Sequence, residues 1–145
     1  RMPGAKQSRK AKYDPEEQLQ RDCHSWNEAN ITTYPLLEWM FHTPNGGKRT
    51  ASEGGRLKAM GVKAGVPDLM LPFPSDYYAG VAIELKSPTG RLTDNQRKWL
   101  RRAAVSGWVV GVARTLEEHI DLWNEFMTGN GTCHHGHAEI FQENS

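Results

Sequence analysis

The apolar positions of this chain fall into alternating helix-like and strand-like stretches. Leu19, Cys23 and Trp26 form an apolar stripe behind Asp14-Pro15-Glu16-Glu17. That opening combines a capping aspartate, a proline in the first turn and a glutamate three residues after the cap. It predicts a first helix ending near Asn30. Leu36 to His42 reads as a strand, with Trp39 and Phe41 among its larger apolar residues. Ser52 to Gly61 reads as a short helix that Gly54 and Gly55 weaken. Two brief apolar runs follow, Leu69-Met70-Leu71 and Val81-Ala82-Ile83, separated by the turn formers Pro72, Pro74, Ser75 and Asp76. They predict two adjacent strands joined by a tight connection. Thr93-Asp94-Asn95-Gln96 is a second capping box, leading a helix with Leu100, Ala103 and Ala104 on one face and an end at Gly107. Trp108 to Ala113 is a continuous apolar run, hence a buried strand. Thr115 to Glu118 starts a last helix whose core face carries Ile120, Trp123 and Phe126. This order predicts an α/β domain with a mixed central β-sheet flanked by helices.

Length and composition bound the possibilities. A chain of 145 residues predicts one core. It divides into a disordered basic arm over residues 1–12, a folded domain over 13–128 and a tail over 129–145. The arm carries Lys6, Arg9, Lys10 and Lys12, and fits either phosphate contact or a plain solvated tail. No apolar run approaches the roughly 20 residues of a membrane-spanning helix, and the N-terminus lacks the apolar region of a signal peptide. Cys23 and Cys133 make no disulfide framework, which implies a reducing, cytoplasmic setting. Around Cys133-His134-His135-Gly136-His137 the ligand spacings of a structural zinc site are absent. Net charge is only +1, so any binding of nucleic acid must rest on local clusters of cations.

Chemistry concentrates between Gly65 and Lys86. Asp68 heads the first of the two short strands, and Glu84 and Lys86 close the second. Alternation along a strand turns Glu84 and Lys86 to one face and Leu85 to the other. Pairing the strands brings Asp68 beside Glu84. Two carboxylates suit a hard cation such as Mg²⁺ or Mn²⁺, which is often held by one or two carboxylates plus waters and phosphate oxygens. A lysine alongside can position water or stabilise phosphate charge. The combination points to metal-assisted phosphodiester hydrolysis. Taken alone, a D…E-x-K pattern also fits a surface hairpin with solvated charges. Cations cluster just upstream. The loop Thr43 to Arg49 offers Gly46 and Gly47 for close backbone approach, with Lys48 and Arg49 to meet phosphates. Arg56, Lys58 and Lys63 extend this into a basic approach to the carboxylates. Lys98, Arg101 and Arg102 read as a solvated face, and His42 as a structural histidine at a strand end, with DNA contact or acid catalysis as its alternatives.

The stretch from Arg56 to Leu69 ends in Gly65-Val66-Pro67-Asp68-Leu69, and Ile83-Glu84-Leu85-Lys86 is followed by Gly90, Leu92, Thr93 and Gln96. These residues resemble the VRR-NUC family of the PD-(D/E)xK nuclease superfamily, and its small stand-alone members in particular. The resemblance runs from about Glu17 to the helix near Trp123. It implies a restriction-endonuclease-like core and a Mg²⁺- or Mn²⁺-dependent DNA endonuclease, in a prokaryotic or phage-like setting. By that resemblance Asp68, Glu84 and the backbone carbonyl of Leu85 bind the metal, and Lys86 orients water or the scissile phosphate. Glu17 matches an acidic residue on the first helix that joins the metal site; partnership in the Asp14 capping box accounts for it equally well. Gln96 matches a polar contact to the attacking water or Lys86, and its other role is the third helical position of its own capping box. The resemblance further implies a homodimer acting on branched DNA, such as four-way junctions; the Trp-rich helices themselves offer candidate apolar patches, Trp99, which does not share the face of Leu100, and the Trp123–Phe126 pair. Two rivals stand beside this: a restriction-type or end-trimming nuclease, and a non-catalytic DNA-binding subunit. The intact Asp68, Glu84 and Lys86 set argues against the second.

Overall fold

Asp14 caps the first helix, α1 (Pro15–Asn30), as its sequence requires: its carboxylate accepts from the backbone N–H groups of Glu16 and Glu17. The computed structural model describes residues 11–44, 49–131 and 134–142. Most of the basic arm, the loop segment with Lys48, and Cys133 lie outside the described residues. After α1 come β1 (Phe41–His42), α2 (Ala51–Ala59), β2 (Leu69–Leu71), β3 (Val81–Leu85), α3 (Asp94–Val105), β4 (Val109–Ala113), α4 (Leu116–Thr128) and α5 (His137–Phe141).

The four strands lie in the order β1-β2-β3-β4. The first two pairings are antiparallel and the β3–β4 pairing is parallel, so the expected mixed sheet is present. All five residues of β3 are buried, as befits a strand covered on both faces. Alternation divides its side chains between two cores. Val81, Ile83 and Leu85 join Leu19 and Cys23 of α1 and Leu122, Trp123 and Phe126 of α4. Ala82 joins Leu100 and Ala103 of α3, Val112 of β4 and Ile140 of α5. Glu84, two residues after Ala82, belongs to this second face.

Several expectations are corrected. Leu36 to His42 is not one strand: Pro35–Trp39 is a 3-10 turn, and only Phe41–His42 pairs. Pro35 sets φ for a turn at the start and lacks a donor for a ladder, and Leu37 turns fully into the core. Trp123 and Phe126 are also fully buried, so they form no apolar patch for a partner. Finally, Thr115 caps a helix that is not the last, and its buried stripe is His119, Leu122, Trp123 and Phe126, with Ile120 only half-buried.

Beyond Thr128 the chain returns to the sheet. Val112 N–H donates to His135 O at 3.1 Å, and Ile140 is fully buried. Arginines fasten this segment. Arg101 donates to the carbonyls of Ile140 and Gln142, Arg97 to that of Glu139, and Arg114 forms a two-pronged pair with the Glu139 carboxylate. Arg101 is therefore a tether rather than part of a solvated face. Among the described residues no helix is long and apolar enough to cross a membrane.

Candidate active site

Register delivers the first carboxylate. Leu69 pairs with Ile83, so one step outward sets Asp68 across from Glu84. The strands separate there, and the Asp68 side chain takes over the ladder: its Oδ2 accepts from the Leu85 N–H at 2.8 Å. The Asp68 backbone is fixed from the other side. Its carbonyl accepts from Thr43 N–H at 2.9 Å and from His42 Nδ1 at 3.0 Å, which assigns the His42 ring proton to Nδ1. The Thr43 hydroxyl donates to the carbonyl of Pro67. His42 thus holds the aspartate-bearing segment against the sheet edge.

Glu84 is 3% exposed. Its Oε1 accepts from Gln96 Nε2 at 3.0 Å and lies 3.7 Å from Lys86 Nζ. Its Oε2 is buried and meets no donor. Burial, and after it the neighbouring Asp68 charge, raises the Glu84 carboxyl well above the usual carboxylate range; Lys86 opposes this only in part. A buried carboxylate oxygen with no donor beside a second carboxylate is costly unless a proton or a cation satisfies it.

Gln96 fills its capping role with one end of its amide and meets Glu84 with the other. Its Oε1 accepts from Thr93 N–H at 2.9 Å and the Thr93 hydroxyl accepts from Gln96 N–H, completing the capping box. Its Nε2 is then left to donate to Glu84. The expected partner was water or Lys86; the observed partner is the carboxylate. Gly65 permits this arrangement. It has φ +78°, and a Cβ there would lie 2.4 Å from the backbone carbon of Asn95 and 2.6 Å from the Gln96 nitrogen. Only glycine lets the loop before Asp68 pass so close to the start of α3.

Glu17 lines a cavity of about 200 Å³ together with Asp68, Leu85, Glu16, Gln20 and His42. Its carboxylate pairs with Arg21 at 2.8 Å on the exposed face of α1. No reciprocal capping bond from the Glu17 side chain accompanies the Asp14 cap; the neighbouring Glu16 instead accepts from Ser87 N–H and ties α1 to the loop after β3. Among the described residues no group of three or more His, Cys, Asp and Glu side chains is gathered as a ready metal cage. The donors that do converge are hard oxygens, two carboxylates and nearby backbone, one of them orphaned. That set fits a Mg²⁺-like ion, which keeps several waters, better than a soft or tetrahedral one.

The cations are divided. Arg49, Lys58 and Lys63 line one hollow of about 550 Å³ that runs to Gly65, three residues before Asp68. Arg56 lies on α2 outside that lining. No residue of α2 is buried, so its charges face water rather than the core.

A family model for the VRR-NUC domain matches residues 14–116. A solved structure described as a VRR_NUC domain protein superposes with a TM-score of 0.65 at 26% identity, covering 79% of this chain and 89% of its own. No curated protein matches the chain.

Proposed function

The chain belongs to the VRR-NUC family, and we propose that within it this protein is a divalent-cation-dependent DNA endonuclease whose catalytic centre is Asp68, Glu84 and Lys86. Membership implies a nuclease-type role in DNA processing. The observation that carries the finer reading is the buried, unpartnered Oε2 of Glu84 beside Asp68. Asp68 and Glu84 would hold Mg²⁺ or Mn²⁺ with the Leu85 carbonyl, and Glu17 would extend the site from α1. When bound, such a cation supplies Lewis acidity to a phosphate oxygen and acidity to a water.

The chain's own groups divide the remaining work. Lys86, whose side chain is only 11% exposed, holds a positive charge where phosphate oxygens gain negative charge during attack. Gln96 keeps the Glu84 carboxylate in one orientation. The Leu85 N–H holds Asp68 through its Oδ2. Hydrolysis adds water across one P–O bond and yields a phosphomonoester and an alcohol. Arg49, Lys58 and Lys63, which line one hollow, would bind the flanking phosphates, and Arg56 on exposed α2 would add a further cation, so binding weakens with salt and the slope flattens when these cations are removed.

Substrate and assembly extend the proposal. A four-way junction needs paired cuts, and a two-fold homodimer presents two such centres in matching orientation. The test is cleavage of duplex, flap, nicked and four-way DNA with Mg²⁺ or Mn²⁺ against a chelator control, with solution mass measured in parallel. The expected result is metal-dependent cutting that favours branched DNA, by a dimer. Cutting undiminished by chelator would contradict the cation reading, and a monomer with no preference would contradict the junction reading.

A further inference from the structure

A second hollow, of about 450 Å³, opens between α1 and β1. It shares Gln20 and His42 with the cavity that contains Asp68, so the two spaces adjoin. Its floor is apolar: Leu69 and Met40 are buried there, and the Phe41 ring stands half-exposed at 47%. Its rim is acidic, carrying Glu28 and Glu38. The arginine in its wall, Arg21, is already paired with Glu17.

These features disfavour a phosphate as the occupant, since Glu28 and Glu38 repel it and Arg21 is shared with Glu17, the other polar lining being Gln20, His24, Asn27 and His42. They suit a nucleobase. An aromatic face stacks on any base, and rim carboxylates accept from the exocyclic amino groups of cytosine, adenine or guanine. The volume falls within the range of small-molecule pockets. The cationic hollow beside Gly65 provides the contrasting surface for backbone phosphates. Resting on the nuclease reading, we propose that the α1–β1 hollow is a subsite for an unpaired nucleobase flanking the scissile phosphate, with Phe41 as its stacking platform. A base paired and stacked within a duplex cannot present its face to Phe41; a base splayed at a branch or bulge can. Selection for distorted DNA then arises within one protomer, independently of dimer symmetry.

The experiment uses duplexes carrying one unpaired nucleotide at several offsets from the mapped cut, either as adenine or as an abasic sugar. Cutting is compared for the wild type, Phe41→Ala and Phe41→Trp. At one offset the wild type should cut the adenine substrate roughly tenfold faster than the abasic one, on the scale of base–aromatic stacking. Phe41→Ala should erase that ratio while still cutting the abasic substrate, and Phe41→Trp should restore it. Equal rates on the two substrates at every offset, or a preference that survives in Phe41→Ala, overturns the subsite alone. A wild type inert on every DNA overturns the nuclease reading and the subsite with it.

Discussion

Glu84 and His119 are both ionisable, both buried, and each has one atom without a hydrogen-bond partner. They sit in different parts of the molecule, Glu84 at the end of β3 facing α3 and His119 where α4 packs on α1. Burial disfavours the charged form of each, raising Glu84 and lowering His119 to about 4. The surroundings differ in kind. His119 Nε2 lies 2.8 Å from Asn27 Oδ1, and its ring meets Trp26 edge-on at 5.8 Å between centroids. With the proton on Nε2, the orphan is a neutral lone pair, and the ring is content in its uncharged form. Around Glu84 a second carboxylate and an ammonium converge. Its orphan is an oxygen of an acid that is ordinarily ionised. Burial by itself thus marks nothing; at Glu84 burial comes with a second carboxylate and with an ammonium 3.7 Å from Oε1, while Oε2 has no partner, and that combination is what the proposed cation site rests on.

The largest effects should fall on the charged centre. Glu84→Gln or Asp68→Asn should each lower DNA cleavage by about 1,000-fold or more, since the cation's share of transition-state stabilisation is several kcal/mol. Stability should move the other way. The folded pKa of Glu84 is raised, so its contribution is fully present below the unfolded value and is lost as pH rises through the folded one. Without divalent ions, thermal melting of the wild type should therefore weaken as pH climbs above the usual carboxylate range, and Glu84→Gln should remove that limb. A Glu84→Gln protein that cuts normally, or melts lower across the whole range, would break the contrast.

The neutral centre should show the opposite pH sign. His119 has a depressed pKa, so its stability is full above about 6.5 and is lost as pH falls toward about 4. The difference corresponds to roughly 3 kcal/mol. Denaturant melts at pH 7 and pH 4.5 should reveal it, and His119→Gln should flatten it while cleavage at neutral pH persists. An acid limb unchanged by His119→Gln would assign that loss to other groups.

A smaller effect sharpens the comparison at Gln96. Gln96→Ala removes both the capping acceptor and the donor to Glu84. Gln96→Glu restores an acceptor for Thr93 N–H and presents a like charge to Glu84. Cleavage should fall about tenfold in the first and further in the second, while helix stability recovers in the second. Equal cleavage by both variants would reduce Gln96 to a cap.

The charged centre was the more legible of the two in sequence. Period-two alternation and the antiparallel register alone bring Asp68 to Glu84, and the Thr93–Gln96 capping box was readable from four residues. What escaped depended on distant partners. His119 and Asn27 are separated by most of the chain, and no local pattern announces their bond. The return of residues 134–142 to the sheet rests on Arg97, Arg101 and Arg114, of which only Arg101 was read from the sequence, and then as part of a solvated face. Trp123 and Phe126 looked available because helical periodicity gives a face without saying what covers it; α1 and the sheet cover it here. The 3-10 turn at Pro35–Trp39 was hidden by reading Trp39 and Phe41 as one strand and passing over Pro35.

The orphaned Glu84 oxygen beside Asp68 is the proposed divalent-cation site. Its most direct test needs no DNA: thermal melting of the wild type and Glu84→Gln across a Mn²⁺ titration. A ligand that binds only the folded state raises stability with concentration, by about 2.7 kcal/mol at one hundred times its dissociation constant. The melting temperature should rise for the wild type and stay flat for Glu84→Gln. Equal rises in both proteins, or none in the wild type at millimolar Mn²⁺, would contradict it.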